Sequence, residues 1–274
     1  MFDTHTHLNF KAYKKTLNEV IMTMKEVGVT YGVIPGTDIK TSISAVRIAE
    51  ENDGLWAAVG IHPHHAYELD SATMQHELQQ LENILHTSKV VAIGEVGIDR
   101  HQYQETKYSS YSVSKSFINL QEQLFRLQIQ MAVKYKKSLI IHNREAKTET
   151  LRILTEEWSD VLQHRSVFHC CEPDEELLAF AIKHKMYVGI DGDVTYEGSI
   201  KPAFLTTVPA ESLVLETDSP FLLPEPLRSE RKYPNTPSNL PLIAQAVAQS
   251  WGQSVQNVVE ITTKNALRLF NLSA

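Results

Sequence analysis

His5 and His7 stand two residues apart near the start of a 274-residue chain. In an extended segment side chains repeat with a period of two, so both imidazoles point the same way. Two neutral imidazoles side by side are half of a divalent-metal site. Further metal-capable groups recur, each directly after a short apolar run. His62, His64 and His65 follow Leu55 to Ile61, Glu95 and Asp99 follow Lys89 to Ile93, and His142 with Arg144 follows Ser138 to Ile141. His169 follows Ser166 to Phe168, and Glu216 and Asp218 follow Leu213 to Leu215. A random scatter of the chain's 12 histidines would put most of them on helices and loops instead.

Imidazole nitrogens and carboxylate oxygens suit Zn²⁺, Mn²⁺, Fe²⁺ or Ni²⁺, and carboxylate-rich sets suit Mg²⁺. A carboxylate such as Glu95 can bridge two ions through its two oxygens. A divalent ion lowers the pKa of a water it holds to about 7. Asp218 can ligate an ion and take the proton of that water. Two ions about 3.5–4 Å apart stabilise the attacking and leaving oxygens of an in-line phosphoryl displacement. Taken singly, each residue has a simpler role. His142 or His169 can be packed core histidines, Glu95 an arginine partner, and Asp218 a turn cap. His62 and His64 are read as shaping the pocket or binding substrate rather than as ligands. Cys170 and Cys171 form one pair without a second, which argues against a cysteine-ligated zinc.

The apolar runs must be the elements that position these groups. Met1 to Asp3, Val27 to Pro35, Leu55 to Ile61, Lys89 to Ile93, Ser138 to Ile141, Ser166 to Phe168, Met186 to Ile190 and Leu213 to Leu215 read as strands. Several are nearly continuous Val/Ile/Leu runs, the pattern of parallel strands buried on both faces. Helical spacing appears over Leu17 to Glu26, Ile43 to Glu51, Met74 to Leu85, Phe117 to Tyr135, Lys147 to Glu157 and Glu175 to His184. Asp38 and Pro173-Asp174 are plausible starts of two of these, and Leu240 to Ser250 and Ser254 to Phe270 close the chain, with Ser254 as a cap. Strand and helix alternating in this way predict an α/β fold, a single (β/α)₈ barrel over residues 1–274. Its site lies at the C-terminal ends of the strands. An open doubly wound sheet would favour a glycine-rich loop after the first strand, where His-Thr-His stands.

Net charge is −7, with 33 acidic against 26 basic residues. A surface drawn as a whole to nucleic acid or an anionic membrane is therefore not expected. Two adjacent cysteines give no disulfide framework and fit a reducing compartment. No secretory signal and no apolar run of membrane-spanning length is visible. The reading is a cytoplasmic protein, monomeric and without an obligate partner. Two loops stand out. Arg100 to Ser116 carries Tyr103, Tyr108 and Tyr111, and Leu222 to Ser238 carries four prolines with Arg228, Arg231 and Lys232.

The chain resembles the TatD family of metal-dependent hydrolases, among the amidohydrolase-like barrels. The motifs are Asp3-x-His5-x-His7, Gly60-Ile61-His62-Pro63-His64, Ile93-Gly94-Glu95-Val96-Gly97-Ile98-Asp99, Ile141-His142-x-Arg144-x-Ala146, His169, and Glu216-Thr217-Asp218-Ser219-Pro220. Thr263-x-Asn265-Ala266-x-x-Leu269-Phe270 is similar to the family's closing helix. The resemblance implies that His5, His7, Glu95 and Asp218 hold one ion, and Glu95, His142 and His169 a second. It implies Mg²⁺ or Mn²⁺, with Zn²⁺ or Ni²⁺ as alternatives, and a deoxyribonuclease, in some members a 3′-to-5′ exonuclease. Three stretches depart from the family pattern. Asn143 stands where serine is usual, Cys170-Cys171-Glu172-Pro173 replaces a stretch with an aromatic and a glycine, and residues 102–116 run long.

The expected function is metal-dependent hydrolysis of DNA phosphodiesters by activated water. Asp218 and Glu95 are the catalytic carboxylates. Arg144 grips a phosphate, and Arg228 or Arg231 positions the strand. Loop tyrosines are expected to stack on bases. The same ligand set also suits an amidohydrolase or esterase acting on a small or tRNA-linked acyl substrate. A non-catalytic binding protein with a vestigial metal site is the third reading.

Overall fold

The structure, a computed structural model, describes residues 1–273; Ala274, the last residue of the expected unit, lies outside them. Eight strands form one parallel sheet in sequence order. They are β1 (Phe2–Asp3), β2 (Tyr31–Pro35), β3 (Leu55–Val59), β4 (Val90–Asp99), β5 (Ser138–Arg144), β6 (Ser166–Phe168), β7 (Tyr187–Ile190) and β8 (Leu213–Leu215). The sheet closes on itself just beyond β8. The Thr4 N–H donates to the Leu215 carbonyl at 3.0 Å, and Thr6 bridges Ser219 in parallel. The eight-stranded barrel expected from the sequence is the fold found.

Helices alternate with the strands: α1 (Leu17–Glu26), α2 (Ile39–Glu51), α3 (Ser71–Ile84), α4 (Lys115–Tyr135), α5 (Lys147–Glu157), α6 (Glu175–Lys183) and α7 (Lys201–Leu205). α8 (Leu240–Trp251) and α9 (Val255–Leu269) follow β8. α7 was not legible in the sequence, because it is a single short turn without an amphipathic stripe. α2 starts earlier than its apolar spacing suggests, because Asp38 and Thr41 form a reciprocal cap. Ser254 caps α9 by accepting the Asn257 N–H, as expected.

Strand alternation sorts the core into two layers. Val33, Ala58, Ala92, Ile140, Val167 and Val214 pack together with Phe2. Their strand neighbours Ile34, Val59, Ile93, Leu139, Phe168 and Leu213 pack under the helices. The first set also contacts Ala266, Leu269 and Phe270, and the Phe2 and Phe270 rings lie 5.7 Å apart. Asn265 donates to the carbonyls of Ala210 and Leu213 at 2.8 and 2.7 Å, fixing α9 across the N-terminal ends of the strands. That leaves the opposite, C-terminal mouth for the site. Among the described residues no helix is long and apolar enough to cross a membrane.

Candidate metal centre

Backbone bonds between the exits of β1 and β8 build the first half of the site. Asp3 accepts the His5 N–H at 3.2 Å and the Thr217 N–H at 3.0 Å. The Asp218 N–H donates to the His5 carbonyl at 2.9 Å, and the His7 N–H to the Ser219 carbonyl at 2.8 Å. Asp218 holds a left-handed φ of 48°, uncommon for a residue with a side chain. This crossing brings three candidate ligand atoms together, and Glu95 on β4 supplies a fourth. His5 Nε2 and His7 Nε2 lie 3.2 Å apart. Glu95 Oε2 is 3.4 Å from His5 Nε2 and 3.7 Å from His7 Nε2. Asp218 Oδ1 is 3.7 and 3.4 Å from the same two nitrogens.

These spacings test the fit to a metal. Four ligands bonded at about 2.1 Å around one ion stand about 3.4 Å apart in a tetrahedron. The five measured edges lie between 3.2 and 3.7 Å. The donor set and its spacing therefore suit a small divalent ion.

The other oxygen of Glu95 faces a second group. His142 Nδ1 is 2.7 Å from Glu95 Oε1, His169 Nε2 is 3.3 Å and His62 Nε2 is 3.5 Å. Behind two of these histidines stand buried carboxylates. Asp99 Oδ2 is 3.1 Å from His142 Nε2, and Glu216 Oε1 is 3.3 Å from His169 Nδ1. Glu216 is itself held by the Thr4 hydroxyl at 3.0 Å. Carboxylates in this position orient a metal-binding imidazole and raise its basicity. In the sequence Asp99 and Glu216 are recognisable only as carboxylates at strand ends. The signal was there for Asp99: β4 runs on to residue 99, so Glu95 and Asp99 share a face by the period of two.

Electrostatics match this division. Burial opposes ionisation of Glu95, but His62 and His169 outweigh it and hold the carboxyl well below its usual range. Burial, with His169 nearby, lowers His5, which favours the neutral ligand form. Burial also opposes protonation of His142, yet hydrogen bonds to Asp99 and Glu95 raise it to about 9. His169 is raised well above the ordinary value, against its burial, by Glu95 and Glu216. Protons thus sit where a divalent ion would place its charge.

A cavity of about 650 Å³ opens over the cluster, and its lining includes His7, His62, His64, Glu95, His142, Arg144, His169 and Asp218. Arg144 lies over the Tyr103 ring at 5.3 Å and donates to its hydroxyl at 3.0 Å. Tyr103 in turn donates to Asp99 at 2.8 Å. His64 packs its ring against Tyr103, Tyr108 and Tyr111, and burial lowers it to about 4. His62 stands closer to the ligand cluster than a purely pocket-shaping role requires, with its ring 4.4 Å from that of His142.

The two loops differ in what they present to the cavity. Tyr108 and Tyr111 are buried, packed against Tyr67 and, for Tyr111, Phe117, so they are not open to stack on bases; only Tyr103 of the three lines the cavity. Arg228 and Arg231 are absent from the lining. Arg228 lies 4.2 Å over the Tyr196 ring and 3.4 Å from Glu225, a local pairing that a polar loop segment satisfies within itself. Phe221 was not anticipated. It is 51% exposed, lines the cavity, and its ring lies 6.2 Å from His7 and 6.1 Å from Phe10. The turn that carries it is pinned by Asn235, which donates to the Thr217 and Phe221 carbonyls at 3.0 and 2.7 Å.

The fold and the donor set together define a (β/α)₈ metal-dependent hydrolase. The chain belongs to the TatD-related DNase family, whose model matches residues 2–271. It is 33% identical over 274 residues to YabD of Bacillus subtilis, described as an uncharacterized metal-dependent hydrolase, covering 100% of both chains. It is 30% identical over 278 residues to the 3′-5′ ssDNA/RNA exonuclease TatD of Escherichia coli, again covering 100% of both. The crystal structure of YJJV, a TatD homologue of E. coli, shares the fold with a TM-score of 0.84 at 22% identity, covering 100% of this chain and 98% of that one.

Proposed function

We propose that this hydrolase removes nucleotides from the 3′ end of single-stranded nucleic acid, DNA in the first instance, with two divalent ions. The observation that carries the reading is the division of Glu95, whose Oε2 faces His5 and His7 while Oε1 faces His142, His169 and His62. One carboxylate between two nitrogen groups is the arrangement a bridging ligand needs. His5, His7, Glu95 and Asp218 would hold one ion; Glu95, His142 and His169 the other. Mg²⁺ or Mn²⁺ is the expected metal, and the cluster also accepts Zn²⁺ or Ni²⁺. When bound, such ions supply Lewis acidity to the scissile phosphate and acidify the attacking water.

The chain's own groups do the rest. Asp218, partly open to the cavity, orients the water and takes its proton at a carboxylate oxygen. Arg144 fixes a non-bridging phosphate oxygen through its guanidinium, which Tyr103 supports from below. Phe221 gives a nucleobase an exposed ring to stack on. The activity of the TatD relatives, 3′-5′ exonucleases on single-stranded DNA and RNA, and the presence of Arg144 in the lining of the same cavity favour a phosphodiester over an acyl substrate. The two free cysteines fit a cytoplasmic location.

The test is a paired assay on metal-stripped protein reloaded with Mg²⁺, Mn²⁺ or Zn²⁺. One arm is end-labelled single-stranded DNA; the other is a panel of chromogenic esters, amides and phosphodiesters. Metal-dependent shortening of DNA that Asp218→Asn abolishes is the expected result. Turnover of carbonyl substrates with intact DNA would overturn the nuclease reading.

A further inference from the structure

Glu172 lines the same cavity as the candidate metal cluster. Its carboxylate is fixed from two sides. Asn143 Nδ2 donates to Oε2 at 2.9 Å, and the Glu145 N–H donates to Oε1 at 3.3 Å. Asn143 follows His142 directly on β5, and His142, Asn143 and Glu172 all line the one cavity. Glu145 holds a left-handed φ of 55°, which turns its N–H towards Glu172. Both donors are neutral, so the negative charge of Glu172 is held in place without being cancelled. Each carboxylate oxygen keeps a lone pair free for a further hydrogen bond.

The rest of the lining sharpens the point. Arg144 is the one arginine or lysine among the lining residues, against Glu95, Glu105, Glu172, Asp193 and Asp218. Glu95 and Asp218 belong to the metal cluster, and Asp193 is paired with Lys201 at 2.6 Å. One phosphate can therefore be neutralised at the cluster and Arg144, while a second phosphate beside Glu172 meets an uncompensated anion. A hydroxyl at that position meets an acceptor instead.

We infer that Glu172 reads the strand end, accepting a hydrogen bond from the terminal 3′-hydroxyl and repelling a terminal 3′-phosphate. The inference rests on the nuclease reading above. Its chemistry is self-consistent over successive cycles. Water adds its oxygen to phosphorus, the P–O3′ bond breaks, and the water's proton ends on the departing O3′. The released nucleotide carries a 5′-phosphate, and the shortened strand ends again in a 3′-hydroxyl. Ends left as 3′-phosphates by another nuclease must first pass through a phosphatase-type reaction.

The experiment compares two 5′-labelled oligonucleotides of one sequence, ending in a 3′-hydroxyl or a 3′-phosphate, with the Mn²⁺-loaded enzyme. The expected kcat/KM ratio favours the hydroxyl end by about tenfold or more in the wild type. Glu172→Gln, which removes the charge and keeps the shape, moves the ratio towards one. Glu172→Ala does the same, and unchanged metal content in both variants excludes loss of the cluster as the cause. Equal rates on both ends in the wild type, or an unchanged ratio in both variants, would overturn the inference alone. Failure of the wild type to shorten either strand would overturn the nuclease reading and the inference with it.

Discussion

Asp218 and His5 are tied backbone to backbone: the Asp218 N–H donates to the His5 carbonyl at 2.9 Å. The bond joins the exit of the last strand to that of the first. It sets Asp218 Oδ1 3.7 Å from His5 Nε2 and 3.4 Å from His7 Nε2. Closure of the barrel and assembly of the candidate site are thus one event.

Asp218→Asn removes a proton acceptor and weakens one proposed ligand while leaving its N–H in place. The expected loss in kcat on single-stranded DNA is about 10²–10⁴-fold. A circular dichroism spectrum that matches the wild type checks that the fold is kept.

Metal loading couples to protons. His142, raised to about 9, carries a proton at neutral pH in the ion-free protein, and a metal ligand must be neutral. Loading therefore releases protons, and apparent affinity rises with pH up to about 9. Titration calorimetry in two buffers of different ionisation enthalpy reads the proton count. At an ion concentration of 100 times the dissociation constant the folded state gains about 2.7 kcal/mol. In a chain of this size that raises the melting temperature by about 5–10 °C.

Asp99→Asn acts one step behind the ligands. Asp99 faces His142 Nε2 at 3.1 Å and accepts from Tyr103 at 2.8 Å. Losing such an orienting carboxylate costs about 10–100-fold in metal affinity or activity. Metal content after dialysis against a graded chelator measures it, and Tyr103→Phe is the milder companion.

Arg144→Ala should raise KM for DNA and leave bound metal unchanged. Loss of one phosphate contact lowers the slope of log affinity against log salt by about one. An unchanged slope would remove Arg144 from phosphate binding.

A buried ion cluster beside the site gives a stability test. Lys201 Nζ lies 2.9 Å from Asp191 and 2.6 Å from Asp193. Lys201→Met leaves Asp191 unpaired in the interior, at an expected cost of about 3–5 kcal/mol. Burial and the neighbouring Asp191 push the Asp193 carboxyl up to about 7. The folded chain then binds a proton that the unfolded chain releases near pH 4. This contribution is full below about pH 4 and is lost as pH rises through 7. Melting temperatures of Asp193→Asn should be flatter across that window than those of the wild type.

Much of this was legible in the residues. The apolar runs marked the eight strands because each is buried on both faces, which leaves a nearly pure Val/Ile/Leu/Ala signature. His5, His7, Glu95, His142, His169 and Asp218 could be singled out because each follows such a run, and a barrel collects strand ends at one mouth. Helix starts were legible where a capping side chain stands before the stripe, as Asp38 does before α2 and Asp174 before α6.

Tertiary structure alone decided the rest, because it depends on distances between segments far apart in the chain. Which oxygen of Glu95 meets which histidine follows from how far β4 extends and how it pairs with β5. The burial of Tyr108 and Tyr111, the local pairing of Arg228, and the exposure of Phe221 follow from how loops pack, and polar loop sequence carries no periodic signal of that. Asp99, Glu216 and Glu172 gain their partners only when neighbouring strands are brought within hydrogen-bond reach. Sequence by itself determined the barrel and the chemical class of its strand ends, since both follow from local pattern. The geometry between those ends required the closed sheet.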